Sequence, residues 1–235
     1  DRVCELAEEA RKKGLWPTDD LYPNLINISL GADDDGDPNN PVRAACRLAS
    51  IDYGLDVVAA AGNSGPTMTT VMLPACDPEV IAVGAVETTG DLIIWEKSSR
   101  GPTMQGETKP DFVIWGTDLE MASHKADDEY ITKSGTSFAA PMLSGLTGLL
   151  WESGRRAYGE SWQFRWRDAR QYALYFSTKP VDAPLNKDNA YGYGLPAMGT
   201  MLGQVAQVST PSQGGVEAFP MIMMMAMLSG MMGGI

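Results

Sequence analysis

The sequence predicts an α/β fold with a mainly parallel sheet, and three observations carry that prediction. Short, largely apolar runs recur: LINISL at Leu25–Leu30, LDVVAA at Leu55–Ala60 and VIAVGAV at Val80–Val86. A strand with no polar face is one covered on both sides, as strands of parallel sheets are. Segments with helical spacing alternate with these runs. The chain has 235 residues, 44% hydrophobic and 20% charged, which suits one large domain with a buried core.

In chain order, residues 2–13 place Val3, Leu6, Ala7 and Ala10 on one helical face. Acidic residues come early and Lys12 and Lys13 late, with Gly14 as a stop. Leu25–Leu30 is the first strand. An acidic loop follows from Asp33 to Asn40, then a helix over Pro41–Tyr53 with proline in its first turn and Gly54 at its end. Leu55–Ala60 and Val80–Val86 are the next strands, and Phe112–Ile114 reads as a fourth. A helix starts near Thr136 and runs through LSGLTGLLWESG, and another covers Trp166–Phe176. From Phe219 the chain reads FPMIMMMAMLSGMMGGI, too short and glycine-rich for a membrane span. We read residues 1–205 as one domain and 206–235 as a Met-rich apolar tail. Methionine is flexible and polarizable, which suits packing on this protein or on another one; disorder and membrane contact are the alternatives. The first residue is Asp1 and no signal-peptide pattern follows it, the expectation for a chain cut at its start.

The net charge of −12 repels phosphates and so argues against nucleic acid or an anionic membrane as the main partner. Cys4, Cys46 and Cys76 lack metal-ligand spacing and are odd in number, so they read as buried thiols. Asp33, Asp34, Asp35 and Asp37 resemble the start of a calcium loop, but Ala44 occupies the twelfth position, where a bidentate glutamate belongs. A solvated acidic loop is the favoured reading, with calcium the one cofactor alternative.

Two motifs carry chemistry. Gly135-Thr136-Ser137-Phe138-Ala139-Ala140-Pro141 places a serine at a helix start, where unpaired N–H groups and the positive dipole end lie beside the hydroxyl. By itself it also reads as an N-cap serine. Ala59-Ala60-Ala61-Gly62-Asn63-Ser64-Gly65 follows a buried strand, and an amide there can donate to a developing oxyanion; by itself Asn63 is a turn asparagine. The occurrence of both motifs, in this order, outweighs those single readings.

At this point the chain resembles the subtilisin-like (subtilase) serine peptidases. GTSFAAPMLSG resembles their nucleophile motif, AAAGNSG their oxyanion-hole motif, and INISLG (Ile26–Gly31) the strand lining their cleft. TVMLPACDPEVIAVGAV, SSRGP, KPD and YGYGLPA also match in order, so the likeness spans about residues 24–200. It implies a three-layer α/β/α sandwich and a polypeptide substrate. Ser137 is the nucleophile, and Asn63 with the Ser137 N–H holds the oxyanion. Ser29, Leu30 and Gly31 pair with substrate backbone. Ala60, Ala61 and Gly62 wall the pocket for the substrate residue at the scissile carbonyl, Met72 stands at its base, Thr136 lies in the same substrate site, and Leu73-Pro74 is cis. A secreted or extracytoplasmic location rests on the resemblance alone.

The chain departs from the family in three places. Its base histidine precedes the INISLG strand in a Gly-Thr-His motif, whereas this chain has only His124, thirteen residues before Ser137 and read as a loop residue. The 25 residues before Ile26 are too few for the family's Asp and His segments. We therefore expect the N-terminal part of the domain, with both residues, to come from upstream polypeptide; a catalytically silent subtilase-fold component is the alternative. Met72 replaces a common glycine, predicting a shallow or blocked pocket. Ile114-Trp115 stands where the family reads Ala-Pro, a matter of packing.

Overall fold

The computed structural model describes residues 2–14, 23–159, 162, 164–170, 173–197, 199 and 201. Four parallel strands form the main sheet in the order β1 (Leu25–Ile28), β2 (Asp56–Ala60), β3 (Ile81–Val86) and β4 (Phe112–Trp115). Their register sets Ile26 beside Val57, Ala59 beside Ala82 and Val83 beside Phe112. Every residue of β2 and β3 is buried, which is why their sequences lack a polar face.

Side chains alternate across each strand, and the two faces fill different cores. Val58, Ala60, Ile81, Val83 and Ala85 pack with Ala139, Ala140 and Leu143 of α3 (Thr136–Tyr158). Val57, Ala59 and Ala82 pack with Cys4 and Ala7 of α1 (Arg2–Lys12) and Cys46 of α2 (Pro41–Arg47). Helix, sheet and helix therefore form three layers. The three cysteines are free and buried. Burial pushes the Cys46 thiol up to about 11 and the Cys76 thiol to about 12, so neither is poised as a thiolate.

The helix expected over Pro41–Tyr53 stops as an α-helix at Arg47 and continues as a π-helical turn, Leu48–Asp52. There the Tyr53 N–H reaches the Leu48 carbonyl at 3.2 Å. Gly54, at φ 64°, ends the segment in the left-handed region that glycine tolerates. The helix expected over Trp166–Phe176 is instead two short ones, α4 (Trp166–Ala169) and α5 (Ala173–Phe176). Trp166 anchors the first of them. It is wholly buried, its ring N–H donates to Thr147 Oγ1 at 2.7 Å, and its backbone N–H donates to Asp56 at 3.1 Å. Burial pushes the Asp56 carboxyl up to about 7, against that N–H and the Arg165 charge.

Two small antiparallel ladders complete the described structure: β5 (Leu119–Ala122) with β6 (Tyr130–Lys133), and β7 (Ser177–Thr178) with β8 (Leu195–Pro196). Lys109 and Asp111 of the KPD motif form a buried pair at 2.6 Å, and Asp111 also accepts the Ala82 N–H and the Lys187 ammonium. Burial alone would raise the Asp111 carboxyl, but the two lysines bring it to about 2. Among the described residues no helix is long and apolar enough to cross a membrane. The expected tail at 206–235 lies outside the described residues.

Candidate active site

The parallel strands all end on one side, and the loops leaving those ends hold the candidate residues, the usual place for a site in an open α/β sheet. β2 ends at Ala60. The Ala61 N–H bonds the Val83 carbonyl at 2.9 Å and carries the chain one residue further beside β3. Gly62 then turns at φ 112°. Its N–H donates to Thr136 Oγ1 at 3.1 Å. A Cβ at Gly62 would lie 2.7 Å from both Met72 Sδ and Ser99 Oγ, so position and conformation both require glycine.

Asn63 follows, and its orientation is settled by chemistry. Its Oδ1 accepts the Thr136 backbone N–H and the Thr136 hydroxyl, both at 3.0 Å. A backbone N–H only donates, so the atom facing it is the oxygen. Asn63 Nδ2 is thereby left as a donor beside the start of α3, 3.6 Å from where a Cβ on Gly135 would be.

Ser137 is the second residue of α3 and partly exposed. The helix start is seated on the sheet by the Gly135 N–H, which reaches the Gly116 carbonyl at 2.7 Å. A Cβ on Gly116 would come within 2.7 Å of Ala85 Cβ, so glycine permits this approach. The first helical amides have no carbonyl one turn back. Thr136 gives its N–H to Asn63 and Phe138 to Gly135. Pro141 lies inside the helix and lacks the N–H that would bond the Ser137 carbonyl. Among the described residues no side chain hydrogen-bonds the Ser137 hydroxyl.

The other sequence-predicted residues fall around this point. Ser29, Leu30 and Gly31 continue beyond β1, with Leu30 72% exposed. Ala32 and Leu73 bond each other reciprocally at 3.2 and 2.8 Å, and the Met72 N–H bonds the Ala61 carbonyl at 2.9 Å. The Met72–Leu73 segment thus bridges the chains leaving β1 and β2. Ala60 and Ala61 are buried beneath it. Thr136 is wholly buried and bonds Asn63 and Gly62. Leu73-Pro74 is cis.

Sequence reasoning missed Ser99. Its hydroxyl accepts the Ser64 N–H at 3.1 Å and its N–H donates to the Gly62 carbonyl at 3.0 Å, clasping the loop from both sides. SSRGP is visible as a motif, but nothing local ties it to residues thirty-five positions earlier. His124 lies exposed between β5 and β6. The acidic loop spends its carboxylates on its own backbone: Asp34, Asp35 and Asp37 each accept an N–H two residues on, and Asp34 pairs with buried Arg43 at 2.8 Å. Among the described residues no group of three or more His, Cys, Asp or Glu side chains is placed to hold a metal ion, so the loop does not fit calcium.

A cavity of about 470 Å³ opens between β1 and α3, lined in part by Asn24, Leu25, Thr147, Trp151 and Arg155. Asn24 Oδ1 and Trp151 Nε1 are buried there without a hydrogen-bond partner. β1 ends the strand order, so its outer edge has no partner among the described residues.

Comparison with known proteins identifies the family. A sequence model described as the subtilase family matches residues 12–194. Serine protease AprX of Bacillus subtilis (strain 168) is 33% identical over 147 residues, covering 54% of this chain and 33% of that protein. The thermophilic serine proteinase of Bacillus sp. (strain AK1) is 38% identical over 137 residues, covering 58% of this chain and 30% of that protein. The chain therefore spans about a third of the length of these relatives. The solved structure of Sphericase superposes with a TM-score of 0.62 at 26% identity, covering 83% of this chain and 61% of that one.

Proposed function

The chain belongs to the subtilase family, and from that membership we propose that it is the nucleophile-bearing part of a serine endopeptidase acting through an acyl-enzyme at Ser137. The observation that supports the reading is the double acceptance by Asn63 Oδ1 from Thr136, which leaves Asn63 Nδ2 as a donor beside Gly135 at the start of α3, the helix whose second residue is Ser137. Ser137 Oγ adds to the scissile carbonyl carbon as its proton passes to a base. The oxyanion accepts from Asn63 Nδ2 and the Ser137 N–H. Collapse expels the amine, which takes that proton, and water then releases the acyl group.

A serine hydroxyl needs a base to attack. We assign the base histidine and its aspartate to polypeptide upstream of residue 1. Two features support this: the outer edge of β1 has no partner among the described residues, and the cavity beside it carries the bare Trp151 and Asn24 polar atoms. An added strand bonds such an edge through its backbone. The substrate is a polypeptide, and an extracytoplasmic site of action accompanies the reading.

Labelling the complete protein with a fluorophosphonate probe tests this. We expect the probe on the peptide containing Ser137 and none on Ser137→Ala. Folded protein that takes no label at Ser137 would overturn the proposal. One observation favours a second reading, a catalytically silent component: among the described residues no histidine hydrogen-bonds Ser137, and His124 is exposed in a hairpin loop. Upstream sequence lacking both an Asp-Thr-Gly-like and a Gly-Thr-His-like motif would decide for it.

A further inference from the structure

Among the described residues Arg43 of α2 is the one buried arginine, 2% exposed. Its Nη2 donates to Asp34 Oδ1 at 2.8 Å, to Gln105 Oε1 at 2.8 Å and to Cys76 Sγ at 3.1 Å. One nitrogen thus gathers three segments that are far apart in the chain. Gln105 closes the circle by donating from Nε2 to the Gly36 carbonyl at 2.8 Å. Arg47, one helical turn on, donates to the Pro38 carbonyl and faces Asp77 at 3.4 Å. The helix α2 is therefore fastened both to the acidic loop and to the turn that holds Cys76 and Asp77.

A buried ion pair adds little net stability over apolar side chains of the same volume. What it supplies is geometry, because a planar guanidinium fixes the direction of each partner. Two of its partners extend chains that are already joined. Asp34 lies two residues beyond Ala32 and Cys76 three beyond Leu73, and Ala32 and Leu73 are hydrogen-bonded to each other. The Cys76 N–H also donates to the Met72 carbonyl at 3.0 Å. Arg43 therefore makes a second tie behind the Ala32–Leu73 pair. Ahead of that pair lies Ser29–Gly31, where Leu30 is 72% exposed. A Cβ on Gly31 would meet the Leu73 carbonyl at 2.7 Å, so this strip lies directly against the Leu73 backbone. We propose that Arg43 is a positioning residue that holds the Ser29–Gly31 strip in place for backbone pairing with an extended polypeptide. It touches no substrate and acts through Asp34 and Cys76. The kinetic arm of its test rests on the peptidase reading, while the binding arm needs only that the strip takes a peptide.

Two measurements on the complete protein test it. Arg43→Lys keeps the charge and loses the planar fork. Cys76→Ala removes one tie, leaves the ion pair, and carries the comparison if Arg43→Lys does not fold by thermal melting. Cleavage of a fluorescein-tagged hexapeptide library gives KM and kcat. Polarisation of the same library, mixed with the Ser137→Ala form of each variant, gives Kd with no chemistry involved. Backbone pairing made equally in ground and transition states appears in KM and not in kcat. Arg43→Lys should therefore raise KM and Kd about tenfold, the worth of one backbone hydrogen bond, with kcat within about twofold. Cys76→Ala should raise both about threefold, at the lower end of that range. A folded Arg43→Lys with unchanged KM and Kd, or one that loses kcat alone, overturns the proposal, as does a lower melting temperature with unaltered kinetics. Absence of cleavage together with a weakened Kd in Arg43→Lys sinks the peptidase reading and leaves the role of Arg43 standing. Absence of both cleavage and binding in wild type overturns the two together.

Discussion

Two polar links tie helices to opposite ends of β2. Beyond its C-terminal end, neutral Asn63 accepts two hydrogen bonds from Thr136 at the start of α3. At its N-terminal end, Asp56 accepts the Trp166 N–H at the start of α4. The first link uses an amide that does not titrate. The second uses a buried carboxyl whose burial moves it up to about 7. The Asn63–Thr136 link thus contains no titrating group, while the attachment of α4 does. The difference separates the two ends of one strand: the link beyond one end is neutral, and the link at the other is coupled to proton binding.

Three substitutions break or sharpen that contrast. The largest effect is expected from Asn63→Ala, which removes the proposed oxyanion donor. Such a loss costs roughly 10²–10³ in kcat, a magnitude established on subtilisin itself rather than derived from this chain. An interaction made only in the transition state lowers kcat and leaves KM near its original value. A rise in KM with kcat unchanged would make Asn63 a ground-state binding residue instead.

Next comes Asp56→Asn. The carboxyl is raised from 3.8 to about 7 in the folded chain. Its contribution is therefore fully present below the unfolded value and lost as pH rises through about 7. Denaturant titrations should show stability falling by on the order of 2–4 kcal/mol across that window. Asn at this position keeps an acceptor for Trp166 and should flatten this dependence. An equally steep profile in the variant would place the titrating group elsewhere.

The smallest effect is expected from Thr136→Val, which leaves the buried Gly62 N–H unpaired at a cost of about 1–3 kcal/mol. Because Thr136 also orients Asn63, kcat should fall with it and return in Thr136→Ser. A stability loss with undiminished kcat would reduce Thr136 to a packing residue.

The sheet is legible in the sequence because β2 after Asp56 and all of β3 are apolar and wholly buried, and only a strand covered on both faces needs such a run bounded by turn residues. The β5–β6 hairpin is not, because Leu119–Ala122 and Tyr130–Lys133 are at most half buried and carry mixed charged and apolar residues. Nothing local announces the π-helical turn after Arg47, which depends on packing against α1: Arg11 donates to the Asp52 and Tyr53 carbonyls at 3.0 Å. At the site, Gly62, Asn63 and Ser137 stand out because their motifs are contiguous. The clasp by Ser99 and the orienting role of Thr136 each need residues far apart in sequence, and periodicity carries no such information. The family resemblance sets Thr136 in the substrate site, and only the fold reveals that it is buried and bonded to Asn63.

The outer edge of β1, which has no partner among the described residues, also allows a complementation test. A strand supplied as a separate synthetic peptide has a row of backbone donors and acceptors to meet, and ligand linkage raises stability by RT ln(1 + [L]/Kd), about 2.7 kcal/mol at a hundredfold excess over Kd. Melting temperature then becomes a direct screen for the sequence that fits this edge.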